Sequence, residues 1–225
     1  MKRMNSNNKV SDFLITVRDP SSDAAQQFSK TSMRIIKDGG RRVILVTSAL
    51  PLEGKTFVAA NLAASLARLP EVSAVLIDMD MKRPELHKLF GIRPKWGLTD
   101  YLKEKATLKE VLYPTPVPGL SLIPGGRTKG GPEVFSFSNL ENLFRELKEE
   151  ERRYVIVDST PLLPFPEVDA LVGYVDAVLL VVRYGKTQRD PLQRALGLLE
   201  KEKVMGIVFN DVDRKLLKYR YRYYR

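Results

Sequence analysis

A doubly wound α/β sandwich is the architecture this sequence predicts: a mostly parallel sheet with helices on both faces. Three observations predict it. Short apolar runs alternate with helix-like stretches along most of the 225 residues. Those runs are apolar at consecutive positions, the pattern of strands buried on both sides. The length suits one domain with a full hydrophobic core.

Taken in order, residues 1–21 are polar and read as a loose lead. A helix is expected around "SDAAQQFSKTSMRIIK" (22–37), then a strand at "RRVILVTS" (41–48). "TFVAANLAASLARL" (56–69) has helix-forming composition, and "SAVLIDMD" (73–80) is the second strand. "LSLIPGG" (120–126) is a weaker strand signal. Helix-like "PEVFSFSNLENLFRELKEEE" (132–151) leads into the strand "YVIVDST" (154–160). Helix 166–174, strand 176–183, helix 188–203 and strand "VMGIVFN" (204–210) complete the alternation. Residues 211–225 have no apolar period. The division is a lead over 1–21, one domain over 22–213 and a flexible basic tail over 214–225.

Composition is ordinary for a globular chain, 44% hydrophobic and 28% charged, and the absence of cysteine excludes disulfides and thiolate metal sites. "MKRMNSNNKVSDF" lacks the apolar core of a secretory signal, and no apolar run is long enough to span a bilayer. The net charge of +10 is uneven: six cations and no acid lie within 214–225, leaving only +4 for the rest. A mildly basic body disfavours a nucleic-acid partner. Four of the nine tyrosines, Tyr219, Tyr221, Tyr223 and Tyr224, alternate with arginine in this tail.

Between the first strand and the long helix stands "SALPLEGKT" (48–56). From Ala49 it reads A-x-x-x-x-G-K-T, a phosphate-binding loop with alanine in place of the first glycine. Such a loop cradles phosphates with backbone N–H groups, sends Lys55 to the terminal phosphates and gives Mg²⁺ the Thr56 hydroxyl. The expected ATP-contacting set is Ala49, Glu53, Gly54, Lys55, Thr56 and Phe57. Two further strands end in carboxylates. "VLIDMDMKRP" carries Asp78 and Asp80, which two residues apart on a strand point the same way. "YVIVDSTP" carries Asp158, the expected second acidic group for Mg²⁺. Singly, each aspartate is as well explained by a helix cap or a solvated strand end. Together, beside a phosphate loop at the carboxyl edge of the sheet, they describe one metal-centred site.

In these motifs the chain resembles the bacterial tyrosine kinases of capsule and exopolysaccharide assembly. "SALPLEGKT", "VLIDMDMKRP", "VIVDSTP", "FNDVD" and "YRYRYY" match the family pattern in order from about residue 22 onward. The resemblance implies a P-loop NTPase fold and an ATP- and Mg²⁺-dependent autokinase. Lys55 and Thr56 would hold Mg-ATP, Asp80 and Asp158 would complete the metal shell, and Asp78 would take the phenolic proton. Asn210 matches a position near the adenine and is equally a turn residue, while Lys82 and Arg83 face phosphates or solvent. Tyr219, Tyr221, Tyr223 and Tyr224 would be the phosphoacceptors. It further implies a transmembrane adaptor of polysaccharide export, a cognate tyrosine phosphatase and a cytoplasmic place at the inner face of the membrane. The competing reading is a ParA/MinD-like ATPase switch whose basic tail anchors to lipid or nucleic acid.

Two departures from the family pattern stand out. Leu52 replaces a glycine, which excludes a glycine-only conformation there. Gln26, Ser29 and Ser32 replace the charged residues of a helix used in ring assembly, so self-association stays open while a charge-paired ring is doubtful. His87 and Trp96 belong to no constellation and read as packing or surface groups.

Overall fold

The computed structural model describes residues 12–81, 83–126 and 137–213. Lys82 and the tail tyrosines at 219, 221, 223 and 224 lie outside them. Two helices open the chain, α1 (Ile15–Arg18) and α2 (Asp23–Asp38), followed by β1 (Val43–Ser48), α3 (Lys55–Ala67) and β2 (Ser73–Asp78). Short helices α4 (Leu86–Leu89), α5 (Leu98–Leu102) and α6 (Leu108–Val111) precede β3 (Tyr113–Pro114) and β4 (Leu120–Ile123). Then come α7 (Phe137–Lys148), β5 (Arg153–Asp158), α8 (Glu167–Val172), β6 (Ala177–Arg183), α9 (Arg189–Gly197) and β7 (Val204–Asn210).

The strands form one sheet in the order β3-β4-β2-β5-β1-β6-β7, parallel throughout except for β3, which pairs antiparallel at one edge. Every expected strand is present, the weak 120–126 signal included. The consecutive apolar residues sort by pleat. Val43, Leu45, Val75, Ile77, Val155 and Val157 face a core closed by α5, α7, α8 and α9. Ile44, Val46, Leu76 and Ile156 face a second core closed by α1, α2, α3 and α4. Two buried faces account for strands without polar alternation. β7 differs: as an edge strand it leaves Ile207 and Phe209 exposed.

Where a loose lead was expected through residue 21, residues 13–18 are fastened to α3. Leu14 is fully buried. Asn61, buried on α3, accepts from the Thr16 backbone N–H at 3.1 Å and donates to the Phe13 carbonyl at 2.9 Å. A polar composition concealed this, because one buried amide on a distant helix satisfies the segment's backbone. On α2, Gln26 and Ser29 bond to nearby backbone carbonyls and Ser32 is buried, so none of the three presents a charge.

Candidate active site

β1, β5 and β2 lie side by side, and their carboxyl ends deliver Ser48, Asp158 and Asp78 to one edge. Asp78 and Asp158 are register partners on adjacent parallel strands, so their side chains emerge together. The turn from β1 into α3 supplies the phosphate loop. Gly54 takes φ +93° at the helix N-cap, and no side chain caps the first turn of α3, leaving its N–H groups to face the cleft.

A cleft of about 690 Å³ joins Gly54, Lys55, Thr56, Asp78, Asp80 and Asp158, with Phe13, Leu52, Phe57 and Phe165 among its walls. Asp80 reaches it differently from expectation. The strand ends at Asp78, and Asp80 sits in the following turn with its carboxylate accepting from the Arg83 N–H at 3.1 Å. A turn, not a shared strand face, brings the two aspartates together. Of the remaining predicted residues, Glu53 is buried, with its backbone carbonyl bound by the Asn210 side chain at 3.0 Å. Ala49 is buried in the core, and its carbonyl accepts from the Leu163 N–H at 3.3 Å. Asn210 lines a neighbouring apolar groove with Phe28, Phe57 and Val208.

The electrostatics follow from burial. Lys55 is 8% exposed, and desolvation lowers its ammonium pKa against the pull of Asp158, Asp80 and Glu53. Burial raises the Asp78 carboxyl well above the ordinary range, the Asp158 charge adding to it, while a bond from the Leu86 N–H at 3.1 Å opposes the shift. Asp158 is pushed up to about 7, chiefly by desolvation, against the Thr56 hydroxyl and Lys55.

One oxygen on each of Asp78 and Asp158 is buried without a hydrogen-bond partner. Such acceptors are costly unless a cation or donor meets them. With the Thr56 hydroxyl and Asp80, the Asp158 oxygen makes an all-oxygen donor set, the kind Mg²⁺ takes with water and substrate phosphates, and the Asp78 oxygen stays open to a donor. Among the described residues no three acidic or histidine side chains form a metal cage by themselves. The residues fit the ion.

Leu52 takes no glycine-only conformation, yet its backbone is not ordinary. It does enter the left-handed region, at φ +64°, with its side chain 85% exposed. That region is strained for leucine but not closed to it, at a cost of about 1–2 kcal/mol. Leu52→Gly removes the strain and no buried contact, while adding unfolded-state entropy. We expect a net gain of about 0.5 kcal/mol, read as a Tm rise of about 1–2 °C. His87 is half-buried on α4, and Trp96 packs on the core beneath the Lys95 ammonium; neither enters the cleft.

Motif reading missed Thr187, whose hydroxyl bonds the Glu53 carboxylate, and Gly125. A Cβ on Gly125 would lie 3.1 Å from the Asp78 carbonyl oxygen. Neither stands in a motif; both are distant in sequence and meet the site only through the fold.

No family model matches the chain. It is 34% identical over 175 residues to the tyrosine-protein kinase ptk of Acinetobacter johnsonii, covering 76% of this chain and 24% of that protein. Over 229 residues it is 28% identical to the tyrosine-protein kinase YwqD of Bacillus subtilis, covering 99% of this chain and 95% of that one. The VpsO kinase domain superposes with a TM-score of 0.76 at 27% identity, over 90% of this chain and 100% of that one. These relatives are bacterial tyrosine kinases, and the similarity runs over three quarters or more of this chain. The chain spans about a quarter of the length of the first curated relatives it matches, 24% and 27%, and nearly all of YwqD. The family's P-loop fold is the one the sheet order and the loop before α3 display.

Proposed function

We propose that this chain is an ATP- and Mg²⁺-dependent protein-tyrosine kinase unit that phosphorylates its own tail at Tyr219, Tyr221, Tyr223 and Tyr224. The observation that carries the reading is the convergence of Lys55, Asp78, Asp80 and Asp158 on one cleft, with two buried carboxylate oxygens unpartnered. Loop N–H groups and Lys55 hold the phosphates in line, and positioning with charge neutralisation is most of what phosphoryl transfer needs. Thr56, Asp80 and Asp158 would hold Mg²⁺, which supplies charge neutralisation at the phosphate oxygens. A phenol with pKa near 10 needs a base at neutral pH. Asp78 suits that role, since burial makes its ionised carboxylate a stronger proton acceptor. The phenolic oxygen bonds to the γ-phosphorus, the bond to the β–γ bridging oxygen breaks, the proton passes to Asp78, and ADP leaves.

The setting is polysaccharide assembly: one relative is a succinoglycan biosynthesis transport protein of Rhizobium meliloti. Among the described residues no helix is long and apolar enough to cross a membrane. A transmembrane adaptor would bring the kinase to the inner membrane face, and a tyrosine phosphatase would reset it. Full phosphorylation adds roughly −6 to −8 charge to a tail of +6, which neutralises it or tips it negative. Incubation with Mg-ATP, with and without a candidate adaptor's cytoplasmic segment, should yield phosphotyrosine mapped to 219–224. Replacing all four tyrosines by phenylalanine should remove most of it. Labelling confined to other residues would refute the assignment of the tail as acceptor.

A further inference from the structure

The phosphate loop carries an acid where polyphosphate must approach, and the fold turns that charge away. Glu53 is 3% exposed. One carboxylate oxygen accepts from the Leu50 N–H at 3.0 Å, and the other accepts from the Thr187 hydroxyl. The Thr187 oxygen itself accepts from the Arg183 N–H at 3.0 Å, which leaves its own O–H directed at Glu53. The Glu53 carbonyl is held by the Asn210 amide at 3.0 Å, and the Asn210 carbonyl accepts from the Tyr184 N–H at 2.8 Å. That amide nitrogen lies 1.9 Å from where a Cβ on Gly54 would stand, so glycine alone fits beneath it. Two connections from late in the chain, the β6–α9 loop and the end of β7, thus pin residues 53 and 54.

We infer that Thr187, supported by Asn210, is a positioning residue for nucleotide binding, acting through the Glu53 carboxylate to hold the phosphate loop open to polyphosphate. The inference rests on the nucleotide-binding reading of the cleft. Without the Thr187 hydroxyl, a buried carboxylate loses one of its two donors, and the cleft lined by its neighbours Leu52 and Gly54 is where it would regain solvent. A carboxylate turned that way repels the phosphates and competes for Lys55, whose ammonium already feels it. Its action is on binding: Thr187 touches neither Asp78 nor the metal-side aspartates, so the chemical step is spared once ATP is bound.

Direct titration of the full chain with a fluorescent ATP analogue, Mg²⁺ present, tests this. Thr187→Val, nearly isosteric, should raise Kd about tenfold or more, with KM rising in parallel and kcat within about threefold. Thr187→Ser should restore Kd to within about threefold of the parent. Glu53→Gln provides the charge control: in that background, Thr187→Val should shift Kd less than about threefold, the non-additivity of a coupled pair. If the valine protein does not fold, Thr187→Ala is read by the same comparison. Equal losses with and without the Glu53 charge, or no loss at all, overturn the inference. If the parent chain binds no nucleotide, the reading of the cleft fails instead.

Discussion

Lys55→Met is expected to abolish phosphotyrosine formation, lowering the transfer rate by about 10³-fold, while leaving the fold in place. Lys55 opens α3 at 8% exposure, so its ammonium acts at close range in a low-dielectric cleft rather than through bulk water. Loss of one such preorganised donor to developing charge typically costs about 10²–10³ in rate. Here the same group also binds ground-state phosphate, which places the expectation at the upper end. Methionine keeps the aliphatic stem's packing. It also removes a countercharge from Asp158 and Asp80, so the nucleotide-free protein should tolerate the change better at low pH, where Asp158 is neutral. The measurement is phosphotyrosine detection after incubation with Mg-ATP, beside a thermal melt showing a cooperative transition. Unchanged labelling by a folded Lys55→Met protein would defeat the kinase proposal.

Much of this was legible in the sequence because the informative features are local. Each parallel strand inside the sheet announces itself by apolar residues at both parities, since both faces are buried, and even the short β4 obeys that rule, while edge strand β7 carries the same pattern with one face open. The phosphate loop and strand-end aspartates are legible for a related reason: the sheet gathers successive carboxyl ends on one edge whatever the order of the strands. The features that escaped depend on contacts remote in sequence. Asn61 reads as an unremarkable polar residue in a helix, yet it fastens residues 13–18. Thr187 lies 134 positions from the carboxylate it bonds. Asp80 was placed on a strand face by alternation, and the turn that holds it is set by its own bond to Arg83. Leu52 shows the limit of reasoning by residue type, because the loop's closure imposes a φ that leucine disfavours and the fold absorbs the cost.

Asp158→Asn is expected to make the protein more stable and inactive at once. Burial holds this carboxyl up to about 7 in the native state, whereas in an unfolded chain it ionises near 4. Between those values the native state keeps a proton that the unfolded state has lost. The stability contributed by the neutral group is therefore complete below about pH 4, declines as pH rises, and is gone above about pH 7. Asparagine keeps the size and the acceptor for Thr56 but never charges. In nucleotide-free protein with metal chelated, the variant should exceed the parent at pH 8 by on the order of 3 kcal/mol, about 5–10 °C in Tm. The gap should close toward pH 4. Asp78 acts in the same direction, since part of its own upward shift comes from the Asp158 charge. With Mg-ATP the order reverses, because the variant lacks the charge that would meet the ion, and transfer should fall by about 10²–10³-fold. A destabilised charge kept at a strand end, where an amide would fold better, is what a binding site for a cation costs its fold. A variant less stable than the parent at pH 8 would show that Asp158 serves structure first.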